Sequence, residues 1–148
     1  MDFRDYDTRS AAYALIIDDR ERVLLALWNE GAEPQWTLPG GGVEFEETVE
    51  EAAVRELREE TGYDVQLGRV LGVDSHVVPA ASRLDGSSRP MKSFRVVFDA
   101  HITGGELTEE IDGTTDEARW LPLSDVPTLP RVPLVDVALG FLTSTQAP

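Results

Sequence analysis

The sequence predicts an α/β fold built on a mixed β-sheet. Three observations carry that expectation. Short apolar runs bounded by Gly, Pro and acidic turns recur along the chain, as strands do. One strongly marked helix, and a second near the end, interrupt the series without the regular strand–helix alternation of a parallel sheet. The length of 148 residues without a cysteine suits one domain, residues 1–148, with a core that needs no disulfide staples.

The elements follow in order. Residues 1–10 are polar and expected to be loose, or paired late to a sheet edge. Ala11–Ile17 and Arg22–Trp28 are apolar runs joined by the polar turn Asp18–Glu21, which reads as a β-hairpin. A Gly- and Pro-containing loop, 29–35, leads to a short strand at Trp36–Leu38 and a turn of three glycines, Gly40, Gly41 and Gly42. A helix is expected over about 48–61. Thr48 followed by Glu51 makes a capping box at its start, and Gly62 suits the left-handed position past its end. Asp64–Val78 reads as one long strand interrupted by Gly68 and Gly72, and Ser93–Ile102 as another. The segment 79–91 between them, rich in Pro, Ser and Gly, reads as a mobile functional loop. An acidic loop, 104–116, a strand at 118–123 and an amphipathic helix at 132–142 close the chain. The tryptophans 28, 36 and 120 are read as core, and the isolated His76 and His101 receive no role.

The formal net charge of −15 argues against long nucleic acid, whose phosphates are met by basic patches. It leaves room for a small phosphorylated substrate, because a bound metal reverses the local sign. No run approaches the roughly 18 apolar residues of a membrane helix. The first ten residues lack the basic and apolar parts of a signal peptide. The expectation is a cytoplasmic protein without membrane partners, with a homodimer left open.

The chemistry concentrates between Trp36 and Tyr63. On the helix, Glu56, Glu59 and Glu60 fall at i, i+3 and i+4 and share a face. At about 100° per residue they overlap the stripe of Val49, Ala53 and Leu57, while Glu51, Arg55 and Arg58 fall on the solvated side. Inward carboxylates need a cation. A hard, oxygen-binding divalent ion such as Mg²⁺ suits them.

These residues resemble the Nudix hydrolase signature. Gly41, Glu47, Arg55, Glu56, Leu57, Glu59, Glu60 and Gly62 stand at its spacings. Tyr63, where an aliphatic residue is usual, is the one departure. The resemblance implies a Nudix-type α/β/α sandwich and a pyrophosphohydrolase acting on a nucleoside diphosphate linked to another group X. ADP-ribose or a nucleotide sugar is one substrate class, and a nucleoside triphosphate is the other. It implies Mg²⁺, with Mn²⁺ as a substitute, held by the Gly40 carbonyl, Glu56, Glu59 and Glu60, with Glu56 as ligand or general base. Arg55 and Glu47 would pair to support the loop around Gly41. A further carboxylate is sought among Asp112, Asp116 and Glu117, with Glu117 preferred and Glu109 and Glu110 behind. Pro79, sixteen residues past Tyr63, resembles a marker of the ADP-ribose subgroup. Arg83 and Arg89 are expected to reach substrate phosphates from the 79–91 loop. The alternative is a Nudix-fold nucleotide sensor that does not cleave.

Overall fold

The computed structural model describes residues 1–108 and 115–146. Seven strands are present among them: β1 (Asp7–Leu15), β2 (Arg22–Trp28), β3 (Gln35–Thr37), β4 (Gly40–Gly42), β5 (Tyr63–Val78), β6 (Met91–Gly105) and β7 (Thr115–Pro122). Two α-helices, α1 (Val49–Thr61) and α2 (Pro133–Gln146), accompany them. The strands form two sheets rather than one. A mixed four-stranded sheet runs β4-β1-β6-β5, and an antiparallel three-stranded sheet runs β3-β2-β7. Within the first, β1 and β6 are parallel, with Ala11 opposite Arg95.

The expected hairpin is therefore only partly formed. The turn exists: Asp18 accepts from the backbone N–H groups of Arg20 (3.0 Å) and Arg22 (2.9 Å) and pairs with the Arg22 side chain. A single bridge, Ile17 with Val23, joins the two arms before they part into different sheets. The first arm also begins earlier than its apolar run, at Asp7, because pairing with β6 and not burial defines that end. The glycine turn is likewise a short strand, antiparallel to β1, with Gly40 opposite Tyr13.

Helix α1 begins and ends where its caps dictate. The Thr48 hydroxyl accepts from the N–H of Glu51, and the Glu51 carboxylate accepts from the N–H of Thr48. Such a cap contributes about 1 kcal/mol. The buried face is small, with Ala52, Ala53 and Leu57 all at 0% exposure. It packs on Ala12, Ala14 and Phe98 of the four-stranded sheet, on Ile16 just past β1 and on Leu24 of β2. Helix α2 covers the opposite side, where Leu134, Val135 and Ala138 join Leu15, Val23, Leu25 and Val97. The result is an α/β/α sandwich. No helix among the described residues is long and apolar enough to cross a membrane.

The segment 79–90 is not the loose loop its composition suggested. It opens with a 3₁₀ turn, Ala80–Ser82, and is then tied to the start of β1. Arg83 bonds Asp7 (2.9 Å), Asp85 (2.7 Å) and the Arg89 carbonyl (2.9 Å), and its side chain is only 8% exposed. Arg89 bonds the other oxygen of Asp7 (2.9 Å) and the Arg4 carbonyl (2.7 Å). The two guanidinium groups hold the Asp7 carboxyl below its usual range. These bonds reach back from residue 83 or 89 to residues 4 and 7, which local composition does not reveal.

One test of the helix end follows. Gly62 sits at φ 82°, where a Cβ would stand 2.2 Å from the Glu106 carbonyl oxygen. Gly62→Ala is expected to cost about 1–3 kcal/mol, the range for left-handed backbone in a residue with a side chain. Urea unfolding measures it, and an unchanged midpoint would show that Gly62 is replaceable.

Candidate active site

Helix α1 and strand β4 meet through backbone that only glycine allows. Gly40 lies at φ 150°, and a Cβ there would stand 2.2 Å from the Ala12 carbonyl. Its N–H donates to Oε2 of Glu60 at 2.9 Å, and Glu60 is 5% exposed. A Cβ on Gly41 would stand 2.7 Å from Oε1 of Glu56. The glycines thus let a strand lie directly against two carboxylates of the helix.

Arg55 is the charge centre of this junction. Its Nε donates to Glu47 at 3.0 Å, its Nη2 to the Gly42 carbonyl at 3.1 Å, and its Nη1 to Glu56 and Glu59 at 3.1 and 3.2 Å. The solvated side expected for Arg55 is a misplacement: it is half-buried and turned over the glycine strand, away from Glu51. The long stem reaches around the helix, which a wheel of Cα positions cannot show. The Arg55 guanidinium and the Glu44 N–H pull the Glu47 carboxyl from its ordinary 4.5 down to about 2. Arg55 is in turn raised above its usual range, chiefly by Glu47.

The three helix carboxylates are graded in exposure. Glu60 is buried, Glu56 half-buried and Glu59 exposed. The donor set is entirely oxygen and carries more negative charge than Arg55 neutralises, which suits a hard divalent cation. Arg55 lies between Glu56 and Glu59, and among the described residues no three acidic or histidine side chains converge on one ion position. Fit is thus a matter of donor chemistry and of the close approach that Gly41 permits.

A cleft of about 630 Å³ opens beside Glu56 and Glu60 and runs between the two sheets. Its lining includes Arg9, Tyr13, Trp28, His76, Ser93 and Arg95. Sequence reading assigned Arg9, Tyr13, His76 and Ser93 to no site. They come together only because β1, β6 and β5 lie side by side, and the parallel pairing of β1 with β6 has no local sequence signal. Of the expected site residues, Gly40, Gly41, Glu56 and Glu60 line the cleft. Glu117 does not line it, and it pairs with Arg119 at 2.7 Å. Arg83 and Arg89 do not line it either: Arg83 is held by Asp7, Asp85 and the Arg89 carbonyl, and Arg89 by Asp7 and the Arg4 carbonyl. Glu109, Glu110 and Asp112 lie outside the described residues, as does the side chain of Asp116.

Comparison with known proteins identifies the family. The NUDIX domain profile matches residues 7–138. The chain is 35% identical to the Bacillus subtilis protein named "Putative 8-oxo-dGTP diphosphatase", over 81% of this chain and 74% of that one. It is 35% identical to the ADP-ribose pyrophosphatase of Methanocaldococcus jannaschii, over 80% of this chain and 64% of that one. A Caenorhabditis elegans relative, "Putative nudix hydrolase 1", is 34% identical over 74% of this chain but only 26% of its own length. Among solved structures, a NUDIX hydrolase from Nitrosomonas europaea superposes with a TM-score of 0.77 at 20% identity, covering 95% of this chain and 91% of that one. The chain belongs to the NUDIX domain family.

The depressed Glu47 carboxyl makes a stability prediction. A carboxyl lowered on folding adds stability above its unfolded value near 4.5 and loses it as pH falls toward about 2. Glu47→Gln should therefore be less stable than the wild type at pH 6, with the gap narrowing as pH drops below 4.5. Chemical denaturation midpoints across that range check it, and a pH-independent gap contradicts it.

Proposed function

We propose that this chain hydrolyses the diphosphate of a small nucleotide, a nucleoside diphosphate linked to another group X, with Mg²⁺ or Mn²⁺ bound at helix α1. One observation carries the reading: Glu56 and Glu60 face a glycine strand at the mouth of a cleft large enough for a nucleotide. Glu56, Glu59, Glu60 and the Gly40 carbonyl would hold the ion. Glu117 is left out of this set because its carboxylate is engaged by Arg119 away from the cleft lining.

A bound divalent ion supplies positive charge at the phosphoryl oxygens and makes hydroxide available near neutral pH. The protein's own groups do the rest. Glu56, beside Gly41, takes the proton of the attacking water. The water oxygen bonds to phosphorus, the bridging P–O bond breaks, and a phosphate monoester leaves with the remaining phosphorylated fragment as second product. Glu60 is fixed by the Gly40 N–H, and Arg55 fixes Glu47 and the loop around Gly42. These contacts pre-set the carboxylates, so positioning and electrostatics provide most of the rate. The two relatives named for substrates, an ADP-ribose pyrophosphatase and a diphosphatase of an oxidised nucleoside triphosphate, support the two substrate classes equally.

A second reading, a nucleotide-binding module without hydrolysis, has one observation in its favour. Arg55 Nη1 occupies the space between Glu56 and Glu59. Turnover separates the readings. Purified protein incubated with a nucleotide panel and Mg²⁺ should release phosphate or a shorter nucleotide. Excess chelator should abolish this and added Mn²⁺ restore it. Activity that persists in chelator would falsify the metal role. Glu60→Gln should lower kcat by roughly 10²-fold while the fold survives, because an amide oxygen still accepts the Gly40 N–H. Near-normal turnover in that variant would remove Glu60 from the mechanism.

A further inference from the structure

The floor of the cleft is one face of the four-stranded sheet, and strand register fixes which side chains share it. Arg9 on β1 stands beside Ser93 on β6, and Ser93 stands opposite His76 on β5. The neighbouring row is Ala11, Arg95 and Asp74, and the next on the other side is Asp7, Met91 and Val78. Arg95 and Asp74 neutralise each other, with Nε of Arg95 2.9 Å from Asp74. Arg9 lies over Gly42, its Nη2 3.2 Å from where a Cβ would stand, and no ion pair joins it among the described residues.

Ser93 is the unusual member. It is 4% exposed, it lines the cleft, and its Oγ meets no hydrogen-bonding partner among the described residues. A buried hydroxyl without a partner costs free energy that a packed alanine would not. Trp28, Val78, Leu84 and Met91 give an apolar wall shared by this cleft and the recess of about 480 Å³ that continues from it, where Arg9, His76, Ser82, Arg83 and Asp85 supply the polar lining.

We propose that Ser93 is a specificity-determining residue that hydrogen-bonds the edge of a nucleobase, with His76 beside it and Arg9 between this subsite and the helix carboxylates. The base is favoured over a sugar by the lining. A sugar carries several hydroxyls, and each would need a partner. A base offers flat apolar faces to Trp28 and Met91 and one polar edge to a few hydrogen-bonding groups. The hydroxyl both donates and accepts, so it serves the edge of either purine. Arg9, at the Gly42 end, faces the phosphate side.

The proposal rests on the pyrophosphohydrolase reading, yet it is tested without turnover. Calorimetry in excess chelator measures adenosine monophosphate, guanosine monophosphate and ribose 5-phosphate against the full chain and against Ser93→Ala. At least one nucleoside monophosphate should bind more tightly than ribose 5-phosphate. Ser93→Ala should weaken that nucleotide roughly fivefold or more, leave ribose 5-phosphate unchanged, and melt at an equal or higher temperature. Equal binding of the nucleotides and ribose 5-phosphate, no binding of either nucleotide, or unchanged nucleotide affinity in Ser93→Ala would overturn it. Binding that follows the expected pattern in a protein that hydrolyses no nucleotide with Mg²⁺ supports the subsite and rejects the catalytic reading.

Discussion

The hydrogen bond from the Gly40 N–H to the buried Glu60 carboxylate joins residues twenty positions apart, and much of the structure follows from it. A carboxylate at 5% exposure needs donors aimed at it. The donor here comes from a strand that must lie close to the helix. That closeness requires glycine at 40 and 41, and it sets the register of β4 on β1. The rest of α1 then has to present Ala52, Ala53 and Leu57 to the sheet, because larger residues would hold the helix off. Chemistry and packing are thus imposed by the same contact.

Arg55 solves the remaining electrostatic problem. Four glutamates surround it, Glu44, Glu47, Glu56 and Glu59, at N–O separations up to 3.9 Å. One cation cannot neutralise them all. The bidentate hold on Glu47 and the bond to the Gly42 carbonyl fix the loop, while the single Nη1 shared by Glu56 and Glu59 is a lighter restraint. A charge excess at a cleft mouth is costly for an empty protein and useful for one that binds a divalent ion with a polyphosphate. The bidentate part of the junction is therefore Glu47–Arg55–Gly42, with Glu56 and Glu59 sharing Nη1 beside it.

Legibility in the sequence divides along the same line. The caps of α1 are local and their residue types announce them, whereas the Glu47–Arg55 pairing was legible only through the family signature, and the three glycines read as a turn where they form a strand paired with β1. The split into two sheets was not legible, because the Asp18 turn looks the same whether its arms stay paired or part after Ile17. The ties that hold Arg83 and Arg89 were hidden for a related reason. Loop arginines are free only if no carboxylate from elsewhere reaches them, and Asp7 arrives from the far end of the chain. Arg9, Ser93 and His76 are individually ordinary, and only the β1–β6–β5 register makes them a row. Ser93 shows the limit most clearly: a serine in an apolar strand looks neutral until its hydroxyl is found buried and unpartnered on a cleft floor.

The central claim is that the carboxylates of α1 hold a divalent ion. Electron paramagnetic resonance of free Mn²⁺, titrated with protein in the absence of nucleotide, tests it without reference to any substrate. The account predicts that the wild type depletes the free-ion signal and that Glu56→Gln combined with Glu59→Gln restores most of it while the far-ultraviolet circular dichroism is unchanged. Equal Mn²⁺ binding by the wild type and the double variant would place the ion elsewhere and contradict the account.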